Sequence, residues 1–162
     1  MTSPACWTRL ALPLTILLVA WPLCLRAQTN NVLTITPSDH VSIKRGGTTD
    51  IKLKLELKPG FHVNSDKPTD DYLIPLKLTW AKDPLQAEQV VYPKPQIEKY
   101  DFSMTPLSVF SGNFEIVTHF KAPSTLPPGP VMMNGKLRYQ ACNNKECLAP
   151  KTVEVAIAVD IQ

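Results

Sequence analysis

Apolar and polar positions alternate along most of this chain. The run Thr49-Asp50-Ile51-Lys52-Leu53-Lys54-Leu55-Glu56-Leu57 keeps a period of two almost without fault, the pattern of a strand with one buried and one wet face. Pro59-Gly60 then marks a turn. Phe61 to Asn64 reads as a short strand, and Ser65 to Asp71 as a polar loop. Alternation returns from Leu73 to Trp80, where Pro75 places the start of that strand on an edge or a bulge. A brief strand, Gln89 to Tyr92, is stopped by Pro93. The stretch from Pro93 to Pro106 has no clear period and is expected to be a long loop, a feature that is usually functional or mobile in a compact domain. Strands resume at Val109-Phe110 and from Phe114 to Phe120. A proline-rich connector, 124–130, leads to two last strands, 131–141 and 152–160. Many short strands, frequent turn residues and no amphipathic helix predict an all-β, antiparallel β-sandwich.

Composition sharpens this picture. Sixteen prolines against six glycines argue against a helical fold, because proline removes a backbone donor and breaks helix interiors. The formal charge is +3 with no basic run, so no nucleic-acid surface is expected. The first 27 residues read as a secretory signal peptide: Arg9 precedes an apolar run from Leu10 to Leu25, and Ala27 offers a small residue for cleavage. An uncleaved anchor is the rival reading. The run is shorter than the roughly 20 residues a spanning helix needs, and Pro13 and Pro22 interrupt it. A lipid anchor on Cys24 is disfavoured by bulky Leu23 just before it. The expected organisation is therefore a cleaved leader, 1–27, and one domain, 28–162. The leader holds two of the seventeen bases, Arg9 and Arg26, and none of the fourteen acids, which leaves the mature chain near +1. It also removes Cys6 and Cys24, so an exported chain keeps only Cys142 and Cys147. An oxidising compartment favours their pairing.

Those two cysteines carry the sharpest chemistry. They flank the short loop Asn143-Asn144-Lys145-Glu146 and are expected to end one strand and begin the next, close enough to bridge. Spacing alone leaves three roles open. A structural staple over so short a loop is worth roughly 2 kcal/mol in the chain-entropy model, near the low end for disulfides. A redox pair needs the same proximity. A soft cation such as Zn²⁺ or Cu⁺ would need two thiolates with His62 or His119, and nothing in the sequence brings either histidine near the cysteines. Lys145 favours a thiolate and Glu146 opposes it. Asp70 and Asp71 read as solvated turn residues, and of Met132-Met133 at most one faces the core. No other catalytic motif is present.

The segment Tyr139-Gln140-Ala141-Cys142, a short loop, then Cys147-Leu148-Ala149-Pro150 and an alternating strand resembles the N-terminal periplasmic domain of the thiol:disulfide interchange protein DsbD. The stretch Pro59 to Ser65, with Pro68 and Tyr72 to Pro75, is similar to stand-alone relatives of that domain. The resemblance spans roughly residues 45 to 160. It implies an immunoglobulin-like sandwich and a Cys142/Cys147 pair that cycles between dithiol and disulfide. Cys147 would form the mixed disulfide with partners and Cys142 would resolve it. An aromatic cap would shield the pair, with Tyr100 or Phe102 as lid; ordinary core packing is the alternative for both rings. The implied activity is that of a periplasmic thiol-disulfide oxidoreductase. No cofactor or bound metal is expected, and a monomer is expected because nothing in the sequence demands an oligomer. Its electrons would come from a thioredoxin-like or DsbD-type membrane reductase, and its clients would be oxidised periplasmic proteins. The other class is a non-catalytic binding module with a structural bridge. The spacing departs from the best-known member, with four residues between the cysteines in place of five.

Overall fold

A computed structural model describes residues 31–38 and 40–162; the expected signal peptide lies outside the described residues. Twelve strands follow one another: β1 (Leu33–Pro37), β2 (Val41–Ile43), β3 (Thr48–Leu57), β4 (His62–Asn64), β5 (Lys77–Trp80), β6 (Gln86–Val91), β7 (Gln96–Glu98), β8 (Leu107–Ser111), β9 (Asn113–Lys121), β10 (Gly129–Tyr139), β11 (Ala141–Cys142) and β12 (Lys151–Ile161). No helix occurs among the described residues. The architecture is an all-β sandwich, as the alternation predicts, and its immunoglobulin-like form is the one the resemblance implies.

Two four-stranded sheets form the body, in the orders β1-β3-β9-β6 and β2-β12-β10-β5. Their pairings are antiparallel apart from β2 with β12, which run parallel. In β3 the apolar residues Ile51, Leu53, Leu55 and Leu57 are buried while the intervening Lys52, Lys54 and Glu56 are exposed. In β12, Val155, Ile157, Val159 and Ile161 do the same. These faces meet in one core with Ile116, Phe120, Met133 and Leu137. Fully burying each such side chain contributes about 1.5–3 kcal/mol. Met133 enters this core and Met132 points out, as the alternation predicts.

Trp80 joins the two sheets. Its indole N–H donates to Thr118 Oγ1 at 3.0 Å, and its ring meets Phe120 edge-on at 5.1 Å. Gly135 lies opposite Trp80 in the β10–β5 ladder, and a Cβ there would stand 2.5 Å from the indole ring. The turn at Lys58-Pro59-Gly60-Phe61 closes through Phe61 N–H to Lys58 C=O at 3.1 Å, with Gly60 at φ +82°, a conformation that glycine adopts without strain.

A third sheet, ordered β11-β4-β8-β7, stands apart from this pattern. It corrects the expected long loop. Residues 96–98 form β7, which pairs antiparallel with β8 from Gln96↔Val109 to Glu98↔Leu107. The irregular stretch shrinks to about 99–106. Three further differences concern bounds. β1 and β2 lie upstream of the first expected strand. β5 starts only at Lys77, because Pro75 and its neighbours lie before the ladder on what is indeed an edge strand. The strand expected over 131–141 is interrupted at Gln140, after which β11 leaves β10's sheet for the third.

Candidate functional site

The third sheet assembles the cysteines, a histidine and the aromatic loop. Central strand β4 is buried at all three positions because β11 and β8 flank it and the body lies beneath. Cys142 stands directly opposite His62 in the β11–β4 ladder, and His62 stands opposite Ser111 of β8. Directly opposed residues of an antiparallel pair project from the same face, with Cβ atoms about 4.5–5.5 Å apart. Cys142 and His62 are therefore neighbours on one face.

Cys142 and Cys147 form a disulfide with their Cα atoms 4.0 Å apart. They make an isolated antiparallel bridge, so Cys147 precedes β12 by four positions and does not begin it. Flanking hydrogen bonds fix this hairpin without help from sulfur. Asn143 N–H donates to Glu146 C=O at 2.9 Å, and Leu148 N–H to Ala141 C=O at 2.8 Å. The Asn143 side-chain carbonyl accepts from the N–H groups of Lys145 and Glu146 at 2.8 and 2.9 Å. That is the turn chemistry for which asparagine is favoured. Gln140 Nε2 donates to Leu148 C=O at 3.0 Å. The two sulfur-bearing residues differ sharply in access: Cys142 is 1% exposed, whereas Cys147 lies on the surface.

The loop after β7 covers this face. The Tyr100 ring stacks on His62, centroids 4.0 Å apart and planes 19° from parallel. Phe102 lies 5.5 Å from Tyr100 and 6.4 Å from His62, nearly parallel to both, and is 41% exposed. Tyr100 is buried and packs with Leu107, Val109 and Leu73 in a small cluster of its own. Core packing and coverage of the site thus coincide in this one ring. Its hydroxyl donates to Glu98 Oε2 at 2.5 Å. The loop is tied to itself by Lys99 Nζ, which donates to the carbonyls of Ser103 and Met104, and by Ser103 N–H to Tyr100 C=O. A recess of about 150 Å³ runs between loop and hairpin, lined by Gly60, Phe61, His62, Glu98, Tyr100, Ser111 and Asn144.

Electrostatics follow from this burial. Desolvation pulls the His62 pKa below its ordinary 6.5, and the Glu98 carboxylate pulls the other way. Burial, then the hydrogen bond and charge of Glu98, push the Tyr100 hydroxyl well above 10. His62 Nε2 is buried with no hydrogen-bond partner.

Of the residues the sequence singles out, Cys142, Cys147, Tyr100 and Phe102 converge here, joined by His62. His119 does not. It pairs with Asp50 on the first sheet, opposite it in the β3–β9 ladder. Glu98 falls within the stretch expected to form the cap, but sequence reasoning gives it no role. Its strand is three residues long and exposed at Gln96 and Ile97, too short to register as a period. A wider recess, about 460 Å³, lies elsewhere, among Tyr92, Pro93, Phe110 and Phe114.

The family profile described as thiol:disulfide interchange protein DsbD, N-terminal, matches residues 30–158. Comparison with curated protein sequences gives no match. Among solved structures, the chain is similar to the N-terminal periplasmic domain of ScsB from Proteus mirabilis, at 14% identity and a TM-score of 0.55. The match covers 81% of this chain and 47% of that one, so the chain spans about half of its length. A cohesin–dockerin complex from Clostridium thermocellum is matched at 13% identity and a TM-score of 0.46, over 82% of this chain and 100% of that one.

Proposed function

The chain belongs to the family of the N-terminal part of the thiol:disulfide interchange protein DsbD, and from that premise we propose that it is an exported thiol-disulfide exchange protein. It passes reducing equivalents through the Cys142/Cys147 pair to oxidised proteins of the periplasm. The observation that carries this reading is the unequal access of the two cysteines, with Cys147 on the surface and Cys142 buried beside it.

In the reduced protein the Cys147 thiolate attacks a client disulfide. An S–S bond forms between Cys147 and the client, and the client's other sulfur leaves with the electron pair and takes a proton. The Cys142 thiol then loses its proton and attacks Sγ of Cys147. The Cys142–Cys147 bond forms, and the client leaves as a dithiol. Two electrons and two protons have moved to the client. A thioredoxin-like or DsbD-type membrane reductase reverses these steps on this chain, its thiolate entering at Cys147. Exposure supports that order, because exchange rates depend on which sulfur an incoming thiolate can reach. Tyr100 and Phe102 form the cap that a partner must displace. The Asn143 turn supports the redox role over the staple, since its hydrogen bonds hold the hairpin closed without the bridge.

Equilibration of the purified protein with glutathione buffers tests the proposal. A reduction potential of roughly −120 to −270 mV is expected, the range of known exchange proteins. A value below about −300 mV makes the bridge structural and overturns the relay. Within that test, Cys142→Ser should accumulate mixed disulfides through Cys147, and Cys147→Ser should accumulate none.

A further inference from the structure

We propose that His62 is the proton partner of Cys142, accepting the thiol proton when Cys142 attacks and delivering one when Cys142 leaves. This rests on the exchange reading above and adds to it a residue that the cysteine motif does not contain.

Three observations meet at this residue. His62 is 2% exposed and its Nε2 has no hydrogen-bond partner. A buried polar group left unpaired costs about 1–3 kcal/mol, and such groups call for an explanation in terms of function or redox state. The residue opposite His62 on the same face is Cys142. A disulfide has no proton to donate, but opening it creates an S–H on Cys142. The reduced state therefore supplies the donor that the imidazole lacks in the oxidised state.

The chemistry requires such a group. A thiol in Cys142's position, 1% exposed, is held protonated by burial, while the nucleophile in the resolving step is the thiolate. A neutral imidazole beside it is the natural base, and burial keeps His62 neutral near pH 7. In the resolving step the proton passes from Cys142 Sγ to His62, the Cys142–Cys147 bond forms, and the client thiolate departs with the bonding electrons. In the recharging step a donor thiolate bonds to Cys147, the Cys142–Cys147 bond breaks, and Cys142 takes the electron pair and a proton that is drawn from solvent and reaches it through His62. The groups facing His62 are Ser111 of β8, Cys142 of β11, Glu98 of β7, Tyr100 of the loop and Asn144 of the hairpin. Glu98 is the one carboxylate lining this recess, and no Lys or Arg lines it. Lys99 and Asp101 line the adjacent recess. The negative charge of Glu98 steadies the imidazolium once it forms. Nucleophile, base and third group recur in this arrangement in many active sites.

A chromogenic aryl disulfide separates the steps. Mixed with the reduced protein, it should release one coloured thiolate as Cys147 attacks and a second as Cys142 closes the bridge. In the wild type the second release should slow as pH falls through the range below 6.5 in which His62 protonates. In His62→Gln the second release should be about a hundredfold slower near neutral pH and should lose that acid limb, with the first release unchanged. His62→Phe keeps a ring against Tyr100 and should behave as the Gln variant does. Equal second-release rates and pH profiles in wild type and both variants overturn the proposal and leave the relay standing. A wild-type second release that stays flat from pH 7 down to the acid limit of the fold overturns it as well, without any variant. A wild type that gives the first release and never the second brings down the exchange reading, and this proposal with it.

Discussion

Tyr100 occupies two environments at once. One face of its ring roofs His62, and the residue packs with Leu107, Val109 and Leu73. Its hydroxyl is held protonated and donates to Glu98. Removing the hydroxyl and removing the ring should therefore do different things. Tyr100→Phe keeps the roof and is expected to cost about 1 kcal/mol of stability, the usual net worth of one hydrogen bond. Tyr100→Ala, alone or with Phe102→Ala, uncovers the face that carries Cys142. Reduction of the bridge by dithiothreitol should then run several-fold faster, followed as free-thiol appearance. An unchanged rate in the double variant would remove the cap from the mechanism. Replacing both cysteines by serine should cost roughly 2 kcal/mol or less in denaturant unfolding, because the six-residue hairpin is already closed by its own hydrogen bonds.

At the scale of elements, the long strands were written plainly in the sequence and the site only in part. β3, β10 and β12 each bury every second residue over seven positions, so their period is unmistakable. β4 and β8 bury nearly every position, and β7 has three residues; such segments carry no period to read. The cysteine hairpin was legible because its residues are close in sequence. The meeting of His62 with Cys142 was not, because it depends on β4 pairing with a strand about eighty residues downstream, and register between distant strands is a property of the whole sheet. Gly135 is a further case. A glycine in mid-strand reads as a weakness, yet the indole of Trp80 fills the space above it. Gly135→Ala would press a methyl group into that ring and is expected to destabilise the protein by about 1–3 kcal/mol, read as a drop in the denaturation midpoint. An unchanged midpoint would mean that Trp80 can swing aside at no cost.

For the molecule as a whole, buried titratable groups set the pH range over which the fold is most stable. His62 has a folded pKa below 6.5. Between that lower value and 6.5 the unfolded chain binds more protons than the folded one, so stability is full above about pH 6.5 and falls as acid is added. Tyr92, Tyr100 and Tyr139 are raised above 10 by burial. The unfolded chain loses those protons first, so their contribution is full below about pH 10 and falls as pH rises beyond it. Urea unfolding across the pH scale should show a plateau with a decline at each end. The acid decline should weaken in His62→Gln while the alkaline one remains. An acid limb of equal slope in that variant would assign it to other groups.

The indole clamped between the two large sheets has an optical consequence. After residue 21, Trp80 is the only tryptophan in the sequence, so a chain processed at the expected point would have a single emitter. That emitter sits on β5 with its N–H bonded to Thr118, while the bridge lies in the third sheet. Intrinsic fluorescence is expected to shift to longer wavelength when the two sheets part, and to stay at the folded wavelength when the bridge is reduced. Light from one residue would then report global unfolding and ignore redox state, letting the two processes be followed separately in one cuvette.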